Sequence, residues 1–305
     1  MLELNSGIFY SNFTSLNPRD WYPKSNQWAG SDDIDLFDSN LKNNPTFFRG
    51  WRFKADAIDY SFNNIGMRVP HIKTNEYDIT DSYDFSDKIV VLGCSHVEGI
   101  GIEYEHTIGE YLSKLSGVQV INWGVGGCGG DAVFHNAMWL ASRDKKPLKV
   151  VILWPSDVRF NFIDPTTNRI DYVVPPNDFN GFNRFYKKEM LLGEIQELSA
   201  IKYKNVLRNV FKDRLYELNL YSGRSKMGDI EKELLGERDR LIQGIRSHCE
   251  LLNDVMARDF VTSTIPKNFA DLSFPELVSR ITAHRGKAIN ELIANMIFEQ
   301  IKTSL

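Results

Sequence analysis

The sequence predicts a three-layer α/β fold, a doubly wound parallel sheet between helices, preceded by an irregular aromatic-rich segment and interrupted by a helical insertion. Three observations point there. Apolar runs without polar alternation occur three times between residues 88 and 154 and read as strands buried on both faces. Each ends in small or polar residues, and a helix-like amphipathic stretch follows the first two. Three such alternations within about 70 residues suit parallel strands joined by crossover helices, with functional groups beyond the carboxyl ends of the strands.

Residues 1–86 form the first region. Its opening 53 residues carry eleven aromatic side chains, among them Trp21, Trp28, Phe37 and Trp51, with no helical or strand period. Large rings stabilise irregular chain through their apolar area, so this region is expected to pack on the core as a strap; a surface that stacks sugars or meets a partner is the other reading. The first part of the core spans 87–160. Lys88 to Leu92 is the first strand and runs into Gly93-Cys94-Ser95. Thr107 and Glu110 make a capping-box pair, and Ile108, Tyr111, Leu112 and Leu115 form the apolar stripe of a helix on the sheet. Val118 to Asn122 is the second strand, followed by a glycine-rich loop over 124–130 and a helix over about 131–141. Lys149 to Trp154 is the third strand, ending at Pro155-Ser156-Asp157.

Residues 161–254 read as a loop and a mainly helical insertion. Pro165, Pro175, Pro176 and Gly181 mark a loop over 160–182. From 186 the pattern turns helical: Leu207, Val210, Phe211, Leu215 and Leu218 fit one helix face, and Leu234, Leu241, Ile245 and Leu252 follow after a break near Ser222-Gly223. The second stripe suits an intramolecular helical hairpin or, over two heptads, a dimerising coiled coil, so oligomerisation through the insertion is an open expectation. Residues 255–305 return to the core, with Ile289, Leu292, Ile293, Met296 and Ile297 on the last sheet-covering helix.

Composition bounds the function. Of 305 residues, 42% are hydrophobic and 25% charged, which suits one or two fully cored domains and excludes a chain disordered throughout. Lys and Arg number 36 against 40 Asp and Glu, a formal charge of −4 that removes the simplest electrostatic case for binding nucleic acid or a membrane surface. No apolar run approaches the roughly 18 residues of a membrane span, and the first ten residues lack the basic and apolar parts of a signal peptide. Cys94, Cys128 and Cys249 make no paired framework, as expected of a reduced, cytoplasmic or virion-associated protein. No His, Cys, Asp or Glu set has metal-ligand spacing, and no cofactor is expected.

The strand ends carry the candidate chemistry. Ser95 follows the first strand among residues small enough for a sharp turn, where a hydroxyl can act as nucleophile if a base takes its proton. In the second loop, glycines let a substrate oxygen approach backbone N–H groups, and Gly127 is the natural donor to an oxyanion. Ser156 and Asp157 bring a third strand end to the same rim. Cys94 reads as buried packing, since nothing in its surroundings marks a reactive thiolate. His96 and His135 read as structural or helix-face residues.

In this order the three ends resemble the SGNH, or GDSL-type, hydrolase family. Gly93-Cys94-Ser95 stands where the family has Gly-Asp-Ser, and Asn122-Trp123-Gly124-Val125-Gly126-Gly127 is similar to its Asn-x-x-x-x-Gly segment. Leu153-Trp154-Pro155-Ser156-Asp157 is similar to its Asn-Asp block, with Ser156 replacing Asn. Upstream, Asn63-Asn64-Ile65-Gly66-Met67-Arg68 resembles the Asn-x-x-Gly-Phe-Arg lead-in of a microbial and phage subset. The resemblance covers about residues 58–158 and implies a flavodoxin-like α/β hydrolase that cleaves an ester or acetyl group on a small molecule or glycan. It implies Ser95 as nucleophile, the N–H groups of Ser95 and Gly127 as oxyanion donors, and Ser156 in the assisting role of Asn.

The C-terminal Asp-x-x-His block departs from the pattern. Asp271-Leu272-Ser273-Phe274-Pro275 keeps its spacing with Phe274 in place of His, and Asp259 to Thr262 ends in Thr. His284, oriented by Asp271, is then the expected base, and a helix-start surface residue is its other reading. Three functional readings stay open: an active serine hydrolase, a catalytically degenerate binding or structural protein on the same fold, and a dinucleotide-binding protein. The last rests on Gly124-x-Gly126-x-x-Gly129 between a strand and a helix, and its acidic partner Asp157 stands farther on than the roughly 20 residues such a site uses.

Overall fold

A computed structural model describes residues 32, 34–43, 58–70, 77–80, 82–155, 160–164, 169–173, 192–219 and 286–305. Helix α1 (Ile34–Asn43) precedes a short antiparallel pair, β1 (Ser61–Phe62) and β2 (Arg68–Val69). The core then alternates β3 (Ile89–Cys94), the four-residue helix α2 (Ser95–Glu98), α3 (Ile108–Ser116), β4 (Val120–Val125), α4 (Gly130–Ala141) and β5 (Lys149–Trp154). An antiparallel hairpin, β6 (Phe160–Asp164) and β7 (Arg169–Val173), follows. After it come α5 (Leu192–Phe211), β8 (Leu215–Asn219) and α6 (Lys287–Ile301).

Four strands make one parallel sheet in the order β4-β3-β5-β8. This is the predicted fold class. All residues of β3 and β5 are buried, which is why their sequences show no polar alternation. Asn122 of β4 lies against Gly109 of α3, while Trp123, its neighbour, meets Trp139 of α4 edge-on at 5.3 Å. The two helices therefore cover opposite faces. Helix α6 packs on α3, and α5 packs on α4, where Phe134 and Tyr203 stack at 4.5 Å. The chain leaves β3 for β4 on one side and then crosses to β5 on the other, so the winding reverses beside β3. Doubly wound sheets open their crevice at such a reversal.

Local signals account for several elements. Thr107 caps α3, its hydroxyl accepting from the Glu110 N–H and donating to the Tyr104 carbonyl. Gly117 ends that helix in the left-handed conformation. The five apolar residues expected on the last helix, Ile289, Leu292, Ile293, Met296 and Ile297, are all buried on α6.

Two expectations are corrected. The helix face projected through Leu215 and Leu218 stops at Phe211; Lys212 takes a positive φ of 52°, and Leu215–Asn219 becomes a strand beside β5. Spacings of four and three residues mimic a helix there, but β5 would otherwise leave a row of unpaired backbone groups at its edge. Val210, expected on the same inward face, is exposed. The loop expected over 160–182 contains the β6–β7 hairpin. Leu234, Leu241, Ile245 and Leu252 lie outside the described residues, as do all the N-terminal aromatics up to Phe53 other than Phe37, which is buried. Among the described residues, no helix is long and apolar enough to cross a membrane.

Candidate functional site

The site grows from the sharp turn between β3 and α2. Cys94, the last residue of the strand, stays extended, and Ser95 opens the helix directly after it. Helix α2 is pressed down onto the sheet. A Cβ on Gly93 would lie 2.4 Å from Val97 Cγ2 and 2.9 Å from the Leu153 carbonyl oxygen, and one on Gly124 would lie 2.0 Å from the Glu98 backbone nitrogen. Glycine is thus required at both strand ends, at Gly93 by the Val97 side chain and the adjacent strand and at Gly124 by the backbone of α2 itself. Gly99 closes α2 in the left-handed conformation, its N–H donating to the Ser95 carbonyl at 2.9 Å.

The β4–α4 loop lies alongside. Cys94 is paired with Val125 in the parallel register, so Ser95 and the Gly126-Gly127 turn leave the sheet from adjacent strands at the same edge. Gly127 has a φ of 73°, and the turn is closed by the Cys128 N–H on the Val125 carbonyl at 3.3 Å. Helix α4 starts at Gly130 without a side-chain cap. Glycine backbone beside a serine at a helix start can present N–H groups to a developing oxyanion.

Ser95 is 7% exposed, and His96 and Glu98 beside it are equally buried. Glu98 turns its carboxylate toward Gly126, where an added Cβ would come within 2.9 Å of Oε2. Cys94 is fully buried, in keeping with a packing role, and the Cys128 thiol meets the Gly93 carbonyl at 3.5 Å. His135 is on α4, half-buried, and burial holds its imidazole below the ordinary histidine range. Ser156, Asp157, Asp271 and His284 lie outside the described residues. Of the predicted set, Ser95 and Gly127 are therefore the two that the described structure brings to one edge. Among the described residues, no group of three or more His, Cys, Asp or Glu side chains could hold a metal ion.

Two polar groupings around this edge have partners that sequence reasoning does not find. The first is the lead-in. Arg68, 1% exposed, donates from Nη1 to the carbonyls of Glu98 and Gly99 and from Nη2 to those of Ile102, at 2.8 Å, and Asp59, at 3.4 Å. Its guanidinium lies 4.2 Å from the centre of the Tyr60 ring. The Tyr60 hydroxyl donates to Asp32 Oδ2 at 2.6 Å and accepts from the Gly101 N–H at 2.7 Å. Burial, followed by the charge of Asp32, holds that phenol well above its ordinary range. The second grouping anchors the first turn of α6. Lys287 pairs with Glu103 at 3.0 Å, Asn290 donates to the His106 carbonyl at 3.0 Å, and His106 Nδ1 lies 2.7 Å from the Tyr111 hydroxyl. The lead-in motif was visible in sequence, but the partners of Arg68 are backbone carbonyls, three of them about 30 residues on, and carry no side-chain signature.

No known family's sequence pattern matches the chain, and no curated protein is similar to it in sequence. Among solved structures, it is similar to a protein from Desulfitobacterium hafniense DCB-2 proposed to be a lipolytic member of the G-D-S-L family. The identity is 15% and the TM-score 0.33, over 70% of this chain and 98% of the other.

Proposed function

We propose that the chain is a serine hydrolase of the SGNH kind, with Ser95 attacking the acyl carbon of an ester or acetyl group. The observation that carries this reading is the position of Ser95: it leaves the carboxyl end of β3, where the winding reverses, and stands beside the Gly126-Gly127 turn. In the reaction, a base takes the Ser95 proton as Oγ bonds to the carbonyl carbon. The oxyanion accepts from the N–H groups of Ser95 and Gly127, with Ser156 assisting. The base then returns the proton to the departing alcohol, and water attacks the acyl-enzyme by the same route in reverse. His284 is the base in this scheme and Asp271 its orienting carboxylate. A glycan as carrier of the acyl group rests on the family resemblance alone, since a fold does not specify a substrate.

A fluorophosphonate probe tests the assignment. Wild type is expected to be labelled and Ser95→Ala not, both with the same far-UV circular dichroism; a folded wild type that takes no label overturns it. His284→Ala is expected to lower kcat by orders of magnitude with KM little changed, as for loss of a general base. One observation favours a second reading: Phe274 occupies the histidine place after Asp271. If His284→Ala and wild type turn over equally slowly, the fold has kept its pocket and lost its base, and binding rather than hydrolysis is its activity.

A further inference from the structure

We propose that Arg68 and Tyr60 are positioning residues for the candidate nucleophile, a clamp that holds the far end of α2 and thereby sets where Ser95 and its N–H point. The inference rests on the serine-hydrolase reading above and extends it to residues outside the strand ends.

A four-residue helix makes too few internal hydrogen bonds to hold its own orientation. Ser95 O receives the N–H groups of Gly99 and Ile100 at 2.9 and 3.2 Å, and the carbonyls at the end of α2 need partners from elsewhere. Arg68 provides them. Among the described residues its hydrogen-bond partners are the backbone carbonyls of Asp59, Glu98, Gly99 and Ile102, whose converging dipoles face the buried cation together with the ring of Tyr60. A fork of donors at fixed angles fixes direction as well as distance, and lysine could not reproduce it. Tyr60 then fastens the next turn through the Gly101 N–H, and Asp32 orients the hydroxyl that receives it. The side of α2 facing the sheet is already fixed by the close passage over Gly93 and Gly124. Sheet below and clamp behind leave the helix little freedom to tilt. A serine nucleophile on such a helix keeps its distance from the Gly127 N–H, on another segment, only while the helix does not tilt, and small misplacements of reacting groups cost rate steeply.

The proposal predicts a loss of turnover that is separable from loss of fold. Tyr60→Phe keeps the ring under the guanidinium and removes only the hydroxyl, while Arg68→Lys keeps the charge and removes the fork. With p-nitrophenyl acetate as substrate, both are expected to lower kcat by about 10- to 100-fold with KM within about twofold, and to slow fluorophosphonate labelling of Ser95 in parallel. Far-UV circular dichroism checks that each variant is folded, and faster amide exchange at Gly99 and Gly101 in Tyr60→Phe shows that the clamp was released. Should Arg68→Lys fail to fold, Tyr60→Phe carries the test by itself. Undiminished kcat and labelling in folded Tyr60→Phe would overturn the clamp and leave the serine reading standing. No labelling of wild type would overturn the serine reading first.

Discussion

Two segments close over the sheet, one preceding it in the chain and one following it, and they are held by different forces. The lead-in from Ile58 to Val69 buries Ile58, Met67 and Val69, but what distinguishes it is that polar side chains fasten it to backbone. Asn63 Oδ1 accepts from the N–H groups of Ile65 and Met67 while its Nδ2 donates to Tyr77. Asn64 exchanges a pair of bonds with Ile79 as a neighbouring strand would, and Arg68 spans the carbonyls behind α2. Helix α6 is held by buried aliphatic and thioether side chains, among them Ile289, Leu292, Ile293, Met296, Ile297 and Ile301. Its polar anchors in the first turn are Lys287 and Asn290. Apolar burial is strong and without direction, whereas hydrogen bonds specify angle and place. The segment that touches the serine turn uses the directional kind.

Each attachment can be weakened by itself. Ile293→Ala removes a fully buried branched side chain from α6 and is expected to cost about 2–5 kcal/mol, read from the urea midpoint at unchanged m-value. Asn63→Ala removes the side chain that serves two N–H groups of the lead-in and the Tyr77 carbonyl, and should cost less, about 1–3 kcal/mol. Its distinguishing mark would be faster amide exchange at Ile65 and Met67 than elsewhere. A result in which Ile293→Ala is the milder of the two would reverse the assignment of forces.

Thr107 lies where the two regimes meet. It caps α3, on which α6 packs, and a Cβ added to Gly99 would lie 2.5 Å from its methyl group. Thr107→Ser keeps the cap and loses the methyl; Thr107→Ala loses the cap and is expected to cost about 1 kcal/mol in thermal unfolding, with the serine variant closer to wild type. Equal losses in the two variants would mean that the methyl contact matters and the cap does not.

The smallest effect is expected from pH. Burial opposes the charged form of Glu103, but its own backbone hydrogen bond and then the bond and charge of Lys287 outweigh it and leave the pKa below the usual range. Burial and then Lys287 push His106 below its usual range. A carboxylate with a lowered folded pKa stabilises above its unfolded value near 4.3 and loses that stability as pH falls. A histidine held neutral in the fold likewise loses stability below about 6.5, where the unfolded chain takes the proton. Both act in the same direction. Between pH 7 and 4 the melting temperature should therefore fall, and Lys287→Met should flatten the slope, by less than about 1 kcal/mol in total. A steeper slope in the variant would contradict the assigned role of the lysine.

What could be read from sequence follows the same division of forces. Strands β3, β4 and β5 and helix α6 were legible because apolar burial writes itself into local pattern. Thr107 was legible because a cap and its partner stand three residues apart. Strand β8 was not, since Phe211, Leu215 and Leu218 keep helical spacing while the reason for the strand is an open edge of β5, more than 60 positions earlier, at Val150 to Trp154. Glu217 accepts from Trp154 Nε1 at 2.8 Å and from Arg208 Nε at 2.6 Å, a meeting that no window around β8 contains. In the candidate site, Ser95 and Gly127 could be named because small residues at strand ends are a local signal. Arg68 matched a motif, but what it and Tyr60 do depends on the backbone of a loop that only the fold brings near.

The order of the chain gives α6 one more consequence, which concerns biosynthesis. Strands β3, β4 and β5 are complete when the ribosome has passed Trp154, and chains can begin to fold as they emerge. The surface of α3 that Lys287–Ile301 will cover then waits for that helix through the whole synthesis of the intervening chain. The arrival of α6, the last α-helix made, ends that interval.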